Sequence, residues 1–246
     1  MDLKTKAIVM GAVDKGESDK RVRLFSVDAG VLEATARGVK KQGAKLSSCT
    51  FCFAFVEVVL AEKNGFFTVT ASDMIEPFSE LSYDLDKFQL ASSALEIVAE
   101  IVKGNEDNSK IFVELLNLFK LLSFSNSGSD KLLWCKWAID MLSLAGYKID
   151  PNKCNVCGKK AADANNLFID MESGSVFCEI HKPIAGIMRD ITSGEFRVLS
   201  GFSHVGLENM AGRSIKDESV KEDDFFDFVK RLVEGILGKK LKSILL

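Results

Sequence analysis

Two pairs of metal-ligating residue types, each with two residues between its members, most constrain what this chain can fold into. Cys154 and Cys157 form the first pair, and Cys178 and His181 form the second pair after an interval of 20 residues. This spacing is typical of structural zinc sites, because a tight turn within each pair directs both side chains at one ion. Three thiolates and one imidazole complete a tetrahedron and leave no open position for a substrate. The sequence therefore predicts a structural Zn²⁺ bound by these four residues.

The surroundings of the two pairs support this interpretation. Gly158 follows the first pair and permits a tight turn there. Residues 167–170 and 175–177, joined through Ser173-Gly174, predict a hairpin that brings the second pair back to the first. Two alternatives stay open: four side chains without a shared ion, and a catalytic zinc. The catalytic alternative lacks its motifs, since the chain has two histidines, His181 and His204, and neither precedes the cysteine pair or forms a His-Glu-x-x-His helix.

The first 76 residues predict a small barrel. Five segments combine apolar runs, alternation and turn signals: 7–13, 21–26, 31–36, 51–60 and 66–70. A closed five-stranded barrel of this size is typically an OB-fold, although an SH3-like barrel has a similar strand count. Phe25 could stack on a base or pack in the core.

After residue 85 the apolar period becomes helical. Helices are predicted at 88–102, 111–122, 132–145 and 223–237, with loops at 104–110 and 123–130. The second and third of these helices are apolar on all sides, which is typical of burial in a bundle. The predicted fold class is therefore α+β: a five-stranded OB-fold barrel at 1–78, then an α-helical domain at 79–246 with an inserted zinc-binding module at about 151–183.

Charge is distributed unevenly along the chain. Residues 1–50 carry ten basic and six acidic side chains, whereas residues 51–130 carry five basic and thirteen acidic ones. Residues 37–45 contain four cations and no acid, and this stretch connects two predicted strands. Such a loop could neutralise DNA phosphates, or it could be an ordinary solvated loop. The candidate DNA-binding residues are those of the loop and two on a neighbouring strand: Arg21, Arg23, Arg37, Lys40, Lys41 and Lys45.

Other features exclude several classes of protein. No stretch reaches the roughly 18 apolar residues of a membrane span, and the first residues lack the apolar segment of a signal peptide. A cytoplasmic location is therefore expected, where thiols stay reduced. Cys49 and Cys52 have no partner pair, so we interpret them, with Cys135, as core residues. No nucleotide-binding glycine motif is present.

Several motifs, in their order along the chain, resemble the RecO family of bacterial recombination mediators. They are Gly16-Glu17-Ser18-Asp19-Lys20-Arg21, Phe25 with Gly30, Ala36-Arg37-Gly38, Leu142 to Tyr147, the Cys154/Cys157/Cys178/His181 set, and residues 237–243. The chain departs from the family at Cys49-Thr50-Phe51, where Gln-Pro-Phe is frequent. The acidic stretch 51–130 also implies that DNA avoids that face.

The resemblance implies a non-enzymatic DNA-repair protein of the bacterial cytoplasm, associated with the nucleoid. It implies binding of single- and double-stranded DNA, annealing of complementary strands, and partnership with RecR to load RecA onto DNA covered by single-strand-binding protein. It also implies contact with the acidic C-terminal tail of that binding protein, within residues 85–246, and no membrane partner.

Two other functions stay open from the residues alone. The first is a zinc-ribbon scaffold that binds protein without binding DNA. The second is a metal-dependent hydrolase or nuclease, which requires clustered carboxylates. The tight acidic run is Glu222-Asp223-Asp224, and we interpret it as the start of the last helix, where it favours the helix dipole.

Overall fold

The chain folds into two compact units, residues 1–123 and 124–246. The structure is a computed structural model, and it describes all residues except Met1, Gln42, Lys103, Asn105, Glu106, Asn126, Ser127, Lys148, Ala162, Asp163, Asn165, Leu245 and Leu246. Within the described residues, no helix has the length and apolarity needed to cross a membrane.

The first unit is built on a closed five-stranded barrel. Its strands are β1 (Asp2–Lys15), β2 (Asp19–Ser26), β3 (Gly30–Ala36), β4 (Phe55–Lys63) and β5 (Phe66–Glu76). The order around the barrel is β1-β2-β3-β5-β4, and β1 also pairs with β4. All pairs are antiparallel except β3 with β5, which run parallel and close the barrel. The predicted five-stranded, OB-like barrel is confirmed.

Alternation along the strands separates the barrel core from its outer face. On β2, Val22 and Leu24 are fully buried, whereas Arg21 and Arg23 are exposed. The core is filled by small and branched apolar residues from all five strands: Ala7, Val9, Val22, Leu24, Leu32, Ala34, Ala36, Val56, Val58, Leu60 and Val69. The outer face of β2 and β3 therefore stays free to carry charge.

The prediction of a strand beginning at Phe51 is wrong for residues 51–54. A 3₁₀ turn, Ser47–Thr50, is followed by a turn in which Phe53 has a φ of 70°. A left-handed backbone interrupts strand pairing, and this phenylalanine adopts it because its ring is fully buried. Cys49 lies buried in the 3₁₀ turn and Cys52 is half-buried after it, so neither belongs to a strand.

Three helices complete the first unit: α1 (Glu80–Tyr83), α2 (Leu85–Ile101) and α3 (Ser109–Phe124). Aromatic rings join both long helices to the barrel side of the unit: the ring of Phe53 lies 5.5 Å from that of Phe88 on α2. On α3, the ring of Phe112 lies 5.2 Å from that of Phe25, and the ring of Phe119 lies 5.6 Å from that of Phe53. Phe25 is fully buried in this contact, so it is a packing residue and not a stacking platform for bases. Helix α3 includes Ser109 and extends past Leu122, so both predicted loops beside it are too long at these ends.

The second unit combines three helices with a small sheet. The helices are α4 (Asp130–Leu144), α5 (Ser193–Phe202) and α6 (Glu222–Leu237), with 3₁₀ turns at Leu207–Met210 and Lys242–Ile244. Helix α4 is buried on nearly all sides and contains the fully buried Trp134 and Trp137, as its apolar sequence predicts. Helix α6 ends at Leu237, as predicted, and is capped by Gly238 in a left-handed conformation.

The sheet of the second unit supports the metal-ligating pairs. Its strands are β6 (Leu167–Asp170), β7 (Val176–Cys178) and β8 (Met188–Ile191), in the order β7-β6-β8. The hairpin of β6 and β7 is confirmed, with Leu167 opposite Cys178. Strand β8 was not expected, because four residues with two charges give a weak alternation signal.

Candidate metal centre and nucleic-acid interface

The first metal-ligating pair lies in a tight turn. The Gly158 N–H donates to the carbonyl oxygen of Cys154 at 3.0 Å, and the Cys154 N–H donates to the carbonyl oxygen of Lys159 at 2.9 Å. Gly158 has a φ of 70°, a left-handed conformation that is least costly for glycine, so the turn closes directly behind Cys157. Both sulfurs are thereby directed to one side of the turn.

The second pair is delivered by the β6–β7 hairpin. Cys178 is the last residue of β7, and the His181 N–H donates to its carbonyl oxygen at 3.1 Å in the following turn. The Asn155 N–H donates to the carbonyl oxygen of Val176 at 2.8 Å, which joins the first turn to β7. This bond fixes the two pairs against each other.

The four donor atoms form a compact cluster. The Cys178 sulfur lies 3.3 Å from Nδ1 of His181 and 4.0 Å from the Cys157 sulfur, and the Cys154 sulfur lies 3.9 Å from the same Nδ1. All four atoms lie within 4.8 Å of one another. Zinc–sulfur bonds of about 2.3 Å and zinc–nitrogen bonds of about 2.0 Å place tetrahedral ligand atoms roughly 3.5–3.8 Å apart. The cluster could therefore hold a metal ion, and its donor set has the composition of a structural zinc site.

The thiols of the cluster have shifted pKa values. Burial raises the pKa of Cys154 and of Cys178, but hydrogen bonds from surrounding backbone N–H groups outweigh it and leave both pKa values lowered. The backbone N–H of Lys159 lowers the pKa of Cys157, yet burial and the two neighbouring sulfurs outweigh it and leave that pKa raised. Accumulating negative charge thus opposes the third thiolate, and a cation between the sulfurs would relieve that repulsion.

An ion pair outside the donor set also connects the two pairs. Lys159 follows the first pair, and its Nζ lies 3.3 Å from Oε1 of Glu179, the residue after Cys178. The backbone and Lys159 hold the pKa of Glu179 below its usual range. This ion pair therefore joins the turn of the first cysteine pair to the end of β7, as a shared ion would.

The predicted basic loop leaves β3 at Arg37 and is anchored at its base. Oδ1 of Asp19 accepts a hydrogen bond of 2.8 Å from the Gly38 N–H, and this bond lowers the pKa of Asp19. The Lys40 N–H donates to the carbonyl oxygen of Ser18 at 3.1 Å. The loop is therefore anchored on the β1–β2 turn, and it exposes its charged side chains while Val39 packs against the barrel core.

The candidate cations differ in their pairing. Lys40 binds Asp14 at 2.6 Å, and Nε of Arg21 lies 3.7 Å from Glu33. The other four are exposed, and no carboxylate in the described part of the chain lies within ion-pair distance of them: Arg23, Arg37, Lys41 and Lys45. All six lie on β2 or on the loop that follows β3, so the structure brings them to the same unit. Pairing leaves the loop with fewer available charges than its sequence suggests.

Sequence reasoning missed residues that shape this surface. Nζ of Lys15 donates to Oγ1 of Thr35 at 3.0 Å, which adds a cation beside Arg21, the residue opposite Thr35. The sequence also gives no indication that Asp14 pairs with Lys40 or that Glu33 pairs with Arg21. Strand β1 runs to Lys15 instead of ending at Val13, which places Asp14 and Lys15 beside β2, and the apolar run that predicts the strand at 7–13 gives no signal for this extension.

Comparisons with known proteins cover nearly the whole chain. The family model described as Recombination protein O N terminal matches residues 1–78, and the model described as Recombination protein O C terminal matches residues 82–244.

Curated relatives agree with these matches. The chain is 27% identical over 242 residues to the DNA repair protein RecO of Clostridium novyi, covering 98% of this chain and 91% of that protein. It is 27% identical over 245 residues to the protein of the same name from Dehalococcoides mccartyi, covering 99% and 94%. A second strain of that species has a protein of this name that is 31% identical over 178 residues, covering 72% and 69%. With matched models over both parts of its length, the chain belongs to the RecO family of DNA repair proteins.

Proposed function

We propose that this chain is a non-enzymatic recombination mediator that binds single- and double-stranded DNA and anneals complementary strands. The observation that carries the proposal is the loop after β3, on which Arg37, Lys41 and Lys45 are exposed without a carboxylate at ion-pair distance among the described residues. Membership of a DNA-repair family gives this basic surface its expected ligand.

Electrostatics supports a phosphate ligand for these loop cations. A cation already paired with a carboxylate gains little from a phosphate, because it must first give up its partner. Lys41 and Lys45 have no such cost, whereas Lys40 is held by Asp14 and donates to the carbonyl oxygen of Gly16. We therefore expect Lys41 and Lys45 to contribute more to DNA affinity than Lys40.

We propose that the metal is Zn²⁺ and that its role is structural. Cys154, Cys157, Cys178 and His181 would hold it, because their donor atoms lie within 4.8 Å of one another and have the composition of a structural zinc site. Four protein ligands leave no position for water or substrate. When bound, the ion would supply positive charge that stabilises the three thiolates and fixes the β6–β7 hairpin to the turn at Gly158.

Family membership supports a proposal for partners and location. We propose that the chain acts with RecR to load RecA onto DNA covered by single-strand-binding protein, and that residues 85–246 receive the acidic tail of that protein. The site of this work would be the nucleoid in the bacterial cytoplasm. We also propose the domain division predicted from the sequence, a barrel at 1–78 and a helical domain at 79–246.

A strand-annealing assay tests the proposal. Two complementary labelled oligonucleotides are mixed with the protein, without nucleotide, over a series of salt concentrations, bare or coated with single-strand-binding protein and with or without RecR. The mediator should anneal both substrates without shortening either strand. Cleavage would favour a nuclease, and absence of DNA binding would leave the zinc-ribbon scaffold.

A double variant, Lys41→Ala/Lys45→Ala, tests the loop itself. If each lysine neutralises one phosphate, the log–log salt slope on single strands should fall by about 1.4 and the affinity at 0.1 M salt by about 25-fold. The matched control is Lys110→Ala/Lys120→Ala, which removes two exposed lysines from α3 in the same unit. Equal losses in both double variants would assign the effect to net charge and contradict a role for the loop.

The scaffold remains the second candidate because aliphatic side chains are exposed beside the metal-ligating pairs. Val156 and Ile180 lie inside the two pairs, and they are 62% and 75% exposed. Exposed apolar side chains at one site are typical of protein contacts. Wild-type protein that shows no salt-dependent DNA affinity would favour this function.

A further inference from the structure

Phe66 places an aromatic ring in solvent at the end of the barrel. It is the first residue of β5, and its side chain is 78% exposed. The preceding hairpin turn, Asn64-Gly65, has positive φ at both positions, 54° and 78°. Such a two-residue turn is tight and fixes the hairpin register, so the backbone position of Phe66 is defined while its ring stays accessible.

Strand register puts Phe66 on the same outer face as the arginines of β2. Ala34 and Phe67 are paired and face the core, so Glu33 and Phe66, one residue earlier on each strand, lie side by side facing outward. Glu33 is in turn opposite Arg23 on β2. On the other side, Phe66 pairs with Lys63 of β4. One row across four strands therefore reads Arg23, Glu33, Phe66, Lys63.

This row combines a ring with positive charge. No carboxylate in the described part of the chain lies within ion-pair distance of Arg23 or Lys63, and both are exposed. The one acid of the row, Glu33, lies 3.7 Å from Nε of Arg21, so its charge is partly compensated. Adjacent strands are about 4.8 Å apart, so Phe66 and Arg23 are roughly 10 Å apart across the sheet.

We propose that Phe66 is a base-stacking residue that makes the barrel prefer single-stranded over duplex DNA. The inference rests on the proposed DNA binding and adds a second kind of contact to it. In OB-folds the face of strands 2 and 3 and the loop between strands 4 and 5 bind oligonucleotides, and Phe66 lies where these two regions meet. An unpaired base offers its face to the ring while Arg23 and Lys63 neutralise neighbouring phosphates. Bases of a duplex are already stacked, so duplex gains the charge contacts alone.

The first test compares oligonucleotide affinities of full-length variants by fluorescence anisotropy. Phe66→Ala should weaken binding of a poly-dT strand about 5- to 150-fold, which corresponds to about 1–3 kcal/mol per stacked base, and should leave duplex affinity nearly unchanged. The salt slope should stay at the wild-type value, because no phosphate contact is removed. The matched control is Tyr83→Ala, which removes a ring that is 89% exposed on α1 of the same unit and should alter neither affinity.

The second test gives a direct signature of stacking. Trp134 and Trp137 are fully buried, so their emission gives a baseline that DNA should not alter. In Phe66→Trp the new indole should be quenched on addition of poly-dT and much less by duplex, and this variant should keep wild-type affinity.

The outcomes separate the two proposals. If Phe66→Ala binds poly-dT like wild type while Lys41→Ala/Lys45→Ala is weakened, DNA binding stands and the stacking role is wrong. Equal losses on single strands and duplex would also overturn the stacking role. If wild-type protein binds neither DNA, the proposed function and this inference are both wrong.

Discussion

The four residues of the metal-ligating cluster differ in their exposure. Cys154 and Cys178 are buried and His181 is half-buried, whereas Cys157 is exposed. A side chain at the surface contributes little apolar packing, so replacing Cys157 would remove mainly the proposed bond to the ion. Cys157 is therefore the position at which a metal contribution to stability can be measured with least interference from packing.

We predict that Cys157→Ala destabilises the second unit far more than Cys52→Ala destabilises the first. A bound ion at 1,000 times its dissociation constant stabilises the folded state by about 4 kcal/mol, and loss of one ligand should remove most of that. Cys52 is half-buried with a weak contact to the carbonyl oxygen of Met10, so its loss should cost roughly 1 kcal/mol or less. Urea unfolding of both variants, before and after chelation, measures the difference.

Elemental analysis of wild-type protein prepared without chelator accompanies that experiment. One zinc per chain is expected, and Cys157→Ala should hold substantially less. Protein that is free of metal, or a wild-type unfolding curve that does not change on chelation, would contradict the assignment.

At this scale the sequence predicts some residues and not others, for a physical reason. The four donors are predictable because metal spacing is local to each pair and the hairpin between them has its own turn signal. The pairing of Lys40 with Asp14 and of Arg21 with Glu33 is not predictable, because it depends on strand register. The sequence is compatible with either a stacking or a packing role for Phe25, and its contact with Phe112 of α3 shows that it packs in the core.

Helix α6 approaches the β7-β6-β8 sheet closely through one glycine. A Cβ on Gly235 would lie 2.1 Å from the carbonyl oxygen of Met171 and 3.0 Å from its carbonyl carbon. Real Cβ atoms do not come so near to backbone, so α6 would have to move away from the end of β6. Glycine is therefore required at this position by helix–strand packing.

We predict that Gly235→Ala destabilises the protein by about 1–3 kcal/mol, even though alanine is the better helix former. Gly201→Ala in α5 is the matched control, because a Cβ there meets nothing within 4 Å. That variant should be neutral or stabilising by up to about 1 kcal/mol. Urea unfolding distinguishes the two, and equal effects would contradict the close contact.

Elements were predictable where one local pattern dominates. Helices α4 and α6 and the β6–β7 hairpin follow from apolar period and turn residues. The predicted strand at 51–54 is wrong because burial of the Phe53 ring between α2 and α3 fixes a left-handed backbone that no local pattern indicates. Strand β8 is not predicted by the sequence, because two of its four residues are charged and the apolar alternation is too short to indicate a strand.

The first compact unit contains α2 as well as the barrel, and its packing bears on where a folding boundary lies. Phe53 is fully buried against Phe88 of α2 and Phe119 of α3, with centroids 5.5 and 5.6 Å apart. Ending the chain at residue 78, the predicted domain boundary, would expose this ring and that of Phe25. Burial of one phenylalanine contributes about 1.5–3 kcal/mol, so two contribute roughly 3–6 kcal/mol.

We predict that a fragment 1–124 unfolds cooperatively in urea and that a fragment 1–78 is less stable by about 3–6 kcal/mol, a large part of a domain's usual 5–15 kcal/mol. Circular dichroism across a urea series compares the two fragments. Equal urea midpoints for the two fragments would contradict this prediction. They would mean that the barrel folds independently of α2 and α3 and that the proposed domain ends near residue 78.

The parallel pairing of β3 with β5 sets the order of events during synthesis. β3 ends at Ala36, and the strand that covers its free edge ends at Glu76, 40 residues later. At about 5–20 residues per second, the ribosome needs roughly 2–8 s to make that stretch. Until β4 pairs with β1, the β1–β2–β3 sheet has two open edges, and the edge of β3 stays open until β5 is made. Open edges are templates for pairing with another nascent chain. Rapid completion of β4 and β5 is therefore what protects the barrel from aggregation while it is being made.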